Sequence, residues 1–221
     1  MPYHNQKYNR RRRYKKKSQY SKYGGYLDTA SKALAVAYSV KKLINVEKKT
    51  FDTNLNLSPG TSGSVTSLSN IIQGDDYNQR EGRSIKAISL ESSLMLTQNA
   101  SANNTLCRVM FLIDNDLPDS GTLPAVTDIL VDSTVNALRN PDPVMMKRFT
   151  IVRDYRFTMS NDSPNDNIQR HFYKKMQHHI KFSGTAAADS AQGTILVLAL
   201  SDQGTNIPSL SINNRVRYVD N

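Results

Sequence analysis

The chain has 221 residues, 29 Lys+Arg against 19 Asp+Glu, one cysteine and no tryptophan. That length suits one domain of ordinary size, or two small ones. A lone Cys107 excludes a disulfide-stapled secreted fold, and the longest apolar run, residues 195–200, is far short of the roughly 20 residues of a membrane span. No apolar stretch follows the basic start, so no signal peptide is expected.

The net charge of +10 is unevenly carried. Residues 1–26 hold Lys7, Arg10, Arg11, Arg12, Arg13, Lys15, Lys16, Lys17 and Lys22 and no acid; the remainder holds 20 basic residues against all 19 acids. The chain is a nearly neutral body with a polycationic tail. Six of the 11 tyrosines (Tyr3, Tyr8, Tyr14, Tyr20, Tyr23 and Tyr26) also lie in this tail. No Ala, Val, Ile or Leu precedes Leu27, so residues 1–26 cannot bury enough apolar area to offset the entropy of ordering and are expected to be disordered alone. Lys and Arg neutralise phosphates and release counterions. Tyrosines stack on unpaired bases at about 1–3 kcal/mol each. The expected partner is therefore single-stranded nucleic acid. The basic run at residues 10–17 also suits a nuclear localisation signal.

After the tail, Asp28, Thr29 or Ser31 could cap a helix that runs to about Asn45. Ala33, Ala37, Val40 and Ile44 form one apolar stripe, flanked by Lys32, Lys41 and Lys42. The basic face suits either a solvated surface or an extension of the tail's polyanion contact. Residues 58–69 read as a polar loop. Residues 85–96 and 106–113 read as strands. Residues 126–138 look like a short helix. Phe149, Ile151, Tyr155, Phe157 and Met159 alternate with Thr150, Asp154, Arg156 and Thr158, the pattern of a strand with one buried face. Residues 195–200 suit a strand covered on both faces. Leu210, Ile212, Val216 and Tyr218 suggest a final strand pair. Many short strands and few helices indicate an all-β sandwich or barrel.

Catalytic chemistry finds no support. Cys107 sits in an apolar stretch where a thiol is a small buried hydrophobe, and no nucleophile elbow, P-loop or zinc-protease motif is present. The neighbouring His178 and His179 would point to opposite faces of a strand and cannot share one metal. Asp114, Asp116 and Asp119 precede Gly121, but Pro118 occupies a ligand position of a calcium loop, so a turn is the better reading. Asp75, Asp76 and Glu81 place three carboxylates in a loop that is either a weak calcium site or a solvated acidic turn.

Residues 69–82, Ser-Asn-Ile-Ile-Gln-Gly-Asp-Asp-Tyr-Asn-Gln-Arg-Glu-Gly, resemble the loop signature of the satellite tobacco necrosis virus coat protein family. The signature is shared by capsid proteins of some circular Rep-encoding single-stranded DNA viruses. Residues 40–45 look like the end of that family's arm helix, 147–154 are similar to one of its central strands, and 219–221 resemble its ending. The resemblance implies a single eight-stranded jelly roll at 47–221, an arm helix at 27–46 and a nucleic-acid-binding arm at 1–26. It also implies 60 copies in a T=1 shell, with the arm turned inward to a single-stranded DNA or RNA genome and the arm helices gathered near the three-fold axes. Lys41, Lys42, Lys86 and Lys147 would contact phosphates. Asp75, and a second set with Glu47, Asp220 and residues 81–84, would bind interface Ca2+. Glu81 and Ser84 depart from the family pattern there. The alternative reading is a non-viral, basic-tailed nucleic-acid-binding protein or chaperone.

Overall fold

A computed structural model describes residues 28–37, 39, 47–161 and 167–220. The expectations for residues 1–26 and for Lys41 and Lys42 lie outside these. The chain divides into two units, residues 1–45 and 46–221. In the first, residues 28–37 and 39 are helical (α1). Within it, the Asp28 carboxylate pairs with Lys32 Nζ at 2.7 Å, one turn on, and the Asp28 carbonyl accepts from Ser31 Oγ. Such an exposed pair adds only a few tenths of a kcal/mol, roughly.

The second unit contains β1 (Lys48–Leu57), β2 (Ser64–Ser67), β3 (Ser84–Thr97), β4 (Asn104–Asp114), α2 (Val126–Ile129), α3 (Pro143–Arg148), β5 (Phe149–Ser160), β6 (Asn167–Lys181), β7 (Thr194–Ser201) and β8 (Ser209–Asp220). All strand pairs are antiparallel and nested: β1 with β8, β2 with β7, β3 with β6, β4 with β5. Two further pairs, β3 with β8 and β4 with β7, join these into sheets ordered β1-β8-β3-β6 and β2-β7-β4-β5. This is the eight-stranded jelly roll that the resemblance implies.

The core forms two layers because β7 has no polar interior position. Ile195, Val197 and Ala199 enter the cluster between the sheets, with Leu90, Leu94, Phe111 and Phe172. Leu196, Leu198 and Leu200 point the other way, into a second cluster with Met110, Leu112, Ile129, Leu130 and Val135. The connection from β4 to β5, carrying α2 and α3, thus covers the outer side of the second sheet. Buried apolar area at about 25 cal/mol per Å² is the main stabilising term in both layers.

Several expectations are corrected. Residues 149–159 do not bury one face in one core. A bulge opposite Phe111/Leu112 leaves Val152 without a strand partner and reverses the alternation. Phe149 and Ile151 pack in the outer cluster, whereas Tyr155, Phe157 and Met159 pack between the sheets. Only residues 126–129 of the helix expected at 126–138 are helical. The chain then turns back in a bridge between Leu130 and Arg139, and Ile129, Leu130, Val135 and Ala137 gain burial from this path. Residues 210–218 belong to one strand, since Asn213 and Asn214 continue the ladder beside Asn54 and Thr53. The polar stretch 58–69 contains β2. Residues 147–154 do not form a central strand: Lys147 and Arg148 end α3, and β5 is at a sheet edge.

Candidate nucleic-acid interface and carboxylate cluster

The outward face of the sheet β1-β8-β3-β6 follows from register. Ile85 and Ala87 are buried between the sheets, so Lys86 points outward. Its cross-strand partners are Val219 and His179, and Val219 in turn pairs with Lys48. The next rows outward from this one place Ser84 beside Lys181, and Thr50, Arg217, Ser89 and Lys175 side by side. Strands are about 4.8 Å apart, so these cations form one surface. Its acids are already engaged: Asp52 takes a two-point contact from Arg215 at 2.7 and 2.6 Å, and Glu91 pairs with Arg217 at 2.7 Å. The Arg215 hydrogen bonds hold the Asp52 carboxyl below its ordinary range. Among the described residues, no ion pair engages Lys48, Lys86, Lys175 or Lys181. The face can therefore take phosphates without first breaking a bond.

Lys147 is exposed on α3, whose Met145 packs in the outer cluster. It sits on the layer over the other sheet, so the structure does not bring it to the face that carries Lys86. Lys48, Lys175 and Lys181 were not anticipated; only the strand register gathers them.

The carboxylates expected to bind calcium separate into two groups. Asp75 is exposed in the loop between β2 and β3. That loop is pinned from within: Arg80, fully buried, donates to the carbonyls of Ile71, Gly82 and Gly184. Tyr218 Oη donates to the Gln79 carbonyl at 2.8 Å, and burial pushes the Tyr218 phenol up in pKa. Beside Asp75, Asp76 accepts from Gln79 Nε2. Asp75 alone offers one carboxylate, so a calcium site there needs ligands from other copies.

Glu47 and Asp220 do come together, with Glu81, but around a cation the chain supplies. Lys49 lies on the inward face of β1, opposite Tyr218. Its Nζ is 3.0 Å from Glu81 Oε1, 3.2 Å from Asp220 Oδ2 and 4.0 Å from Glu47 Oε2. Burial alone would lower the Lys49 pKa, but the hydrogen bonds to Glu81 and Asp220 and the charges of Asp220 and Glu47 reverse the balance and hold it above the ordinary value. These residues do not fit calcium, which takes six to eight oxygens at about 2.3–2.6 Å. An ammonium occupies the point on which they converge. Among the described residues, no group of three or more His, Cys, Asp or Glu stands together as a metal site.

The remaining candidates have structural roles. Burial pushes the Cys107 thiol up to about 12, where it stays protonated and inert. Asp114 is fully buried and held by Arg148 at 2.8 and 2.7 Å, while its Oδ1 caps the Asp116 amide, so this segment is a turn as expected. His178 and His179 diverge as expected from a strand. His178 turns inward and its Nε2 donates to the Gly193 carbonyl at 2.9 Å. His179 is exposed on the basic face.

Comparison with known proteins places this architecture. The profile of the family described as Satellite tobacco necrosis virus coat protein matches residues 22–221. The coat protein of Satellite tobacco necrosis virus 2 is 30% identical over 193 residues, covering 86% of this chain and 93% of that protein. The capsid protein of Satellite tobacco necrosis virus 1 is 30% identical over 174 residues, covering 76% and 86%. Among solved structures, the atomic structure of Broad Bean Stain Virus aligns over 78% of this chain and 88% of that one, with 9% identity and a TM-score of 0.37. The jelly roll, its pinned loop at 69–82 and the profile match across both units agree: the chain belongs to the satellite tobacco necrosis virus coat protein family, and is a structural protein of the virion rather than an enzyme.

Proposed function

We propose that the chain self-assembles into a T=1 shell of 60 copies and packages a single-stranded genome through residues 1–26. The observation that carries this reading is the division of charge: nine cations and no acid in the arm, against a balance of +1 in the rest. A nearly neutral body can pack against copies of itself without strong repulsion. The arm supplies roughly 540 positive charges per 60 copies, each able to meet one phosphate. Lys48, Lys86, Lys175 and Lys181 add a second phosphate-binding surface on the body. Residues 10–17 direct the chain to the host nucleus, where the genome is met; assembly in the cytoplasm would leave this run as a packaging element only. Asp75 binds calcium where copies meet and supply its other ligands.

Exposed apolar side chains favour assembly over a monomeric nucleic-acid chaperone. Leu123, Val131, Leu138, Val144 and Met146 are all exposed on the β4–β5 connection. Contiguous exposed apolar patches mark protein contact surfaces, and these five side chains are the contribution of this connection to the one proposed. Sedimentation and negative-stain imaging of the purified full chain test the proposal. Uniform small particles, containing nucleic acid that DNase or RNase digests after disruption, are expected. A species that stays at 24.8 kDa under all assembly conditions contradicts it.

A further inference from the structure

We propose that Lys49 is a built-in cation that takes the place of a divalent ion, so that the joint between the start of β1, the 69–82 loop and the end of β8 is held without calcium. The three carboxylates come from three separate segments. Glu47 precedes β1, where the arm joins the body; Glu81 follows the family loop; Asp220 ends β8. Three carboxylates converging from separate segments repel one another unless a positive charge lies among them. Lys49 supplies it from within the chain.

Its side chain is only 1% exposed, whereas that of Asp220 is 14% exposed and those of Glu47 and Glu81 are open to solvent. The buried charge is matched by close contacts to Glu81 and to the less exposed Asp220, with Glu47 farther off at the rim. Asp220 Oδ2 also accepts from the Glu81 amide at 3.3 Å, which fixes the carboxylate toward the loop. Asp220 Oδ1 is buried and has no hydrogen-bond partner among the described residues. One open oxygen does not assemble a calcium shell, and the other oxygen of the same carboxylate already lies 3.2 Å from the Lys49 ammonium. A tethered ammonium binds at an effective concentration that a chelator cannot lower, so the consequence is chelator resistance of this joint.

The inference rests on the shell reading only for its effect in particles; cation binding is read on the chain itself. The test uses the full chain carrying Asp75→Asn, which removes the other calcium candidate, with and without Lys49→Met. Equilibrium dialysis against radioactive calcium and thermal unfolding in chelator or in millimolar calcium are measured, with sedimentation recorded separately. With Lys49 present, no bound calcium and the same unfolding midpoint in both buffers are expected, and any particles should keep their sedimentation coefficient in chelator. Lys49→Met should lower the midpoint in chelator and regain it with calcium. Calcium bound by the Lys49-containing chain and lost on Glu81→Gln would overturn the proposal. So would a Lys49→Met chain whose midpoint in chelator equals that of the parent. The measurement on the chain with Lys49 intact decides the question even where the Met variant does not fold. Failure to form particles would contradict the shell reading and leave the calcium result standing.

Discussion

The Arg80 guanidinium lies 4.0 Å over the ring of Phe182, fully buried, and gives its hydrogen bonds to backbone carbonyls rather than to a carboxylate. Arg80 belongs to the 69–82 loop, and Phe182 follows β6. One side chain therefore joins the loop that identifies the family to the segment after β6. Arg80→Met leaves the carbonyls of Ile71, Gly82 and Gly184 without this donor, each at about 1–3 kcal/mol. A loss on the order of 3–5 kcal/mol is expected in urea unfolding of the full chain. Arg80→Lys keeps the charge but loses the planar fork, and should fall between. An Arg80→Met chain within about 1 kcal/mol of wild type would contradict this role.

His178 makes the body acid-sensitive. Burial lowers its pKa below the ordinary value of 6.5, outweighing the hydrogen bond to the Gly193 carbonyl, and neighbouring His179 lowers it further. The unfolded chain therefore binds a proton at a pH where the folded chain does not. By linkage, stability is full above the unfolded pKa and declines as pH falls from about 6.5 toward the folded value. Thermal midpoints measured from pH 7.5 to 5 should fall, and His178→Gln should flatten that part of the profile. Identical profiles for the two chains would exclude His178 as the cause.

Gly193 constrains the same place, because its φ is +90° and an added Cβ would collide with the His179 carbonyl and approach His178 Nε2 to 2.7 Å. The basic face offers a separate test. Lys48→Gln, Lys86→Gln and Lys175→Gln together remove three phosphate contacts. The slope of log affinity against log salt for single-stranded nucleic acid should fall by about 2, at roughly 0.7 per contact. Arg215→Gln removes a cation already held by Asp52 and should leave the slope nearly unchanged. Equal effects from the triple and the single variant would deny that register selects the binding cations.

Leu138 and Val144 test the contact surface. Both are exposed on the β4–β5 connection while Leu130 and Val135 beneath it are buried. Leu138→Asp with Val144→Asp should leave the circular dichroism spectrum and unfolding midpoint near wild type, and prevent particle formation. Normal particles from the double variant would place the subunit contacts elsewhere.

Much of the architecture was legible where composition and period agree. Residues 195–200 suit a strand covered on both faces because the run is short, apolar and follows Gly193, and 85–96 and 106–113 carry enough apolar residues to stand out. β6 was not legible because it is an edge strand: Phe172, Met176 and Ile180 are buried, but Arg170 and Lys174 at the intervening positions on that face reach solvent. The bulge at Val152 hid a change of core inside an unbroken alternation. The arm's concentration of charge is plain in the composition, and Lys86 was singled out by the resemblance. The rest of the basic face exists only through cross-strand register. Lys49 was not singled out by the charge pattern. Its parity with Phe51, Leu55 and Leu57 was the signal that placed it inward.

The division of labour between arm and body is tested most directly by deleting residues 1–26 and measuring nucleic acid per particle by absorbance ratio after nuclease treatment. Particles of normal size, nearly free of nucleic acid, are the expected result. Deletion particles that hold wild-type amounts of nucleic acid would contradict the account.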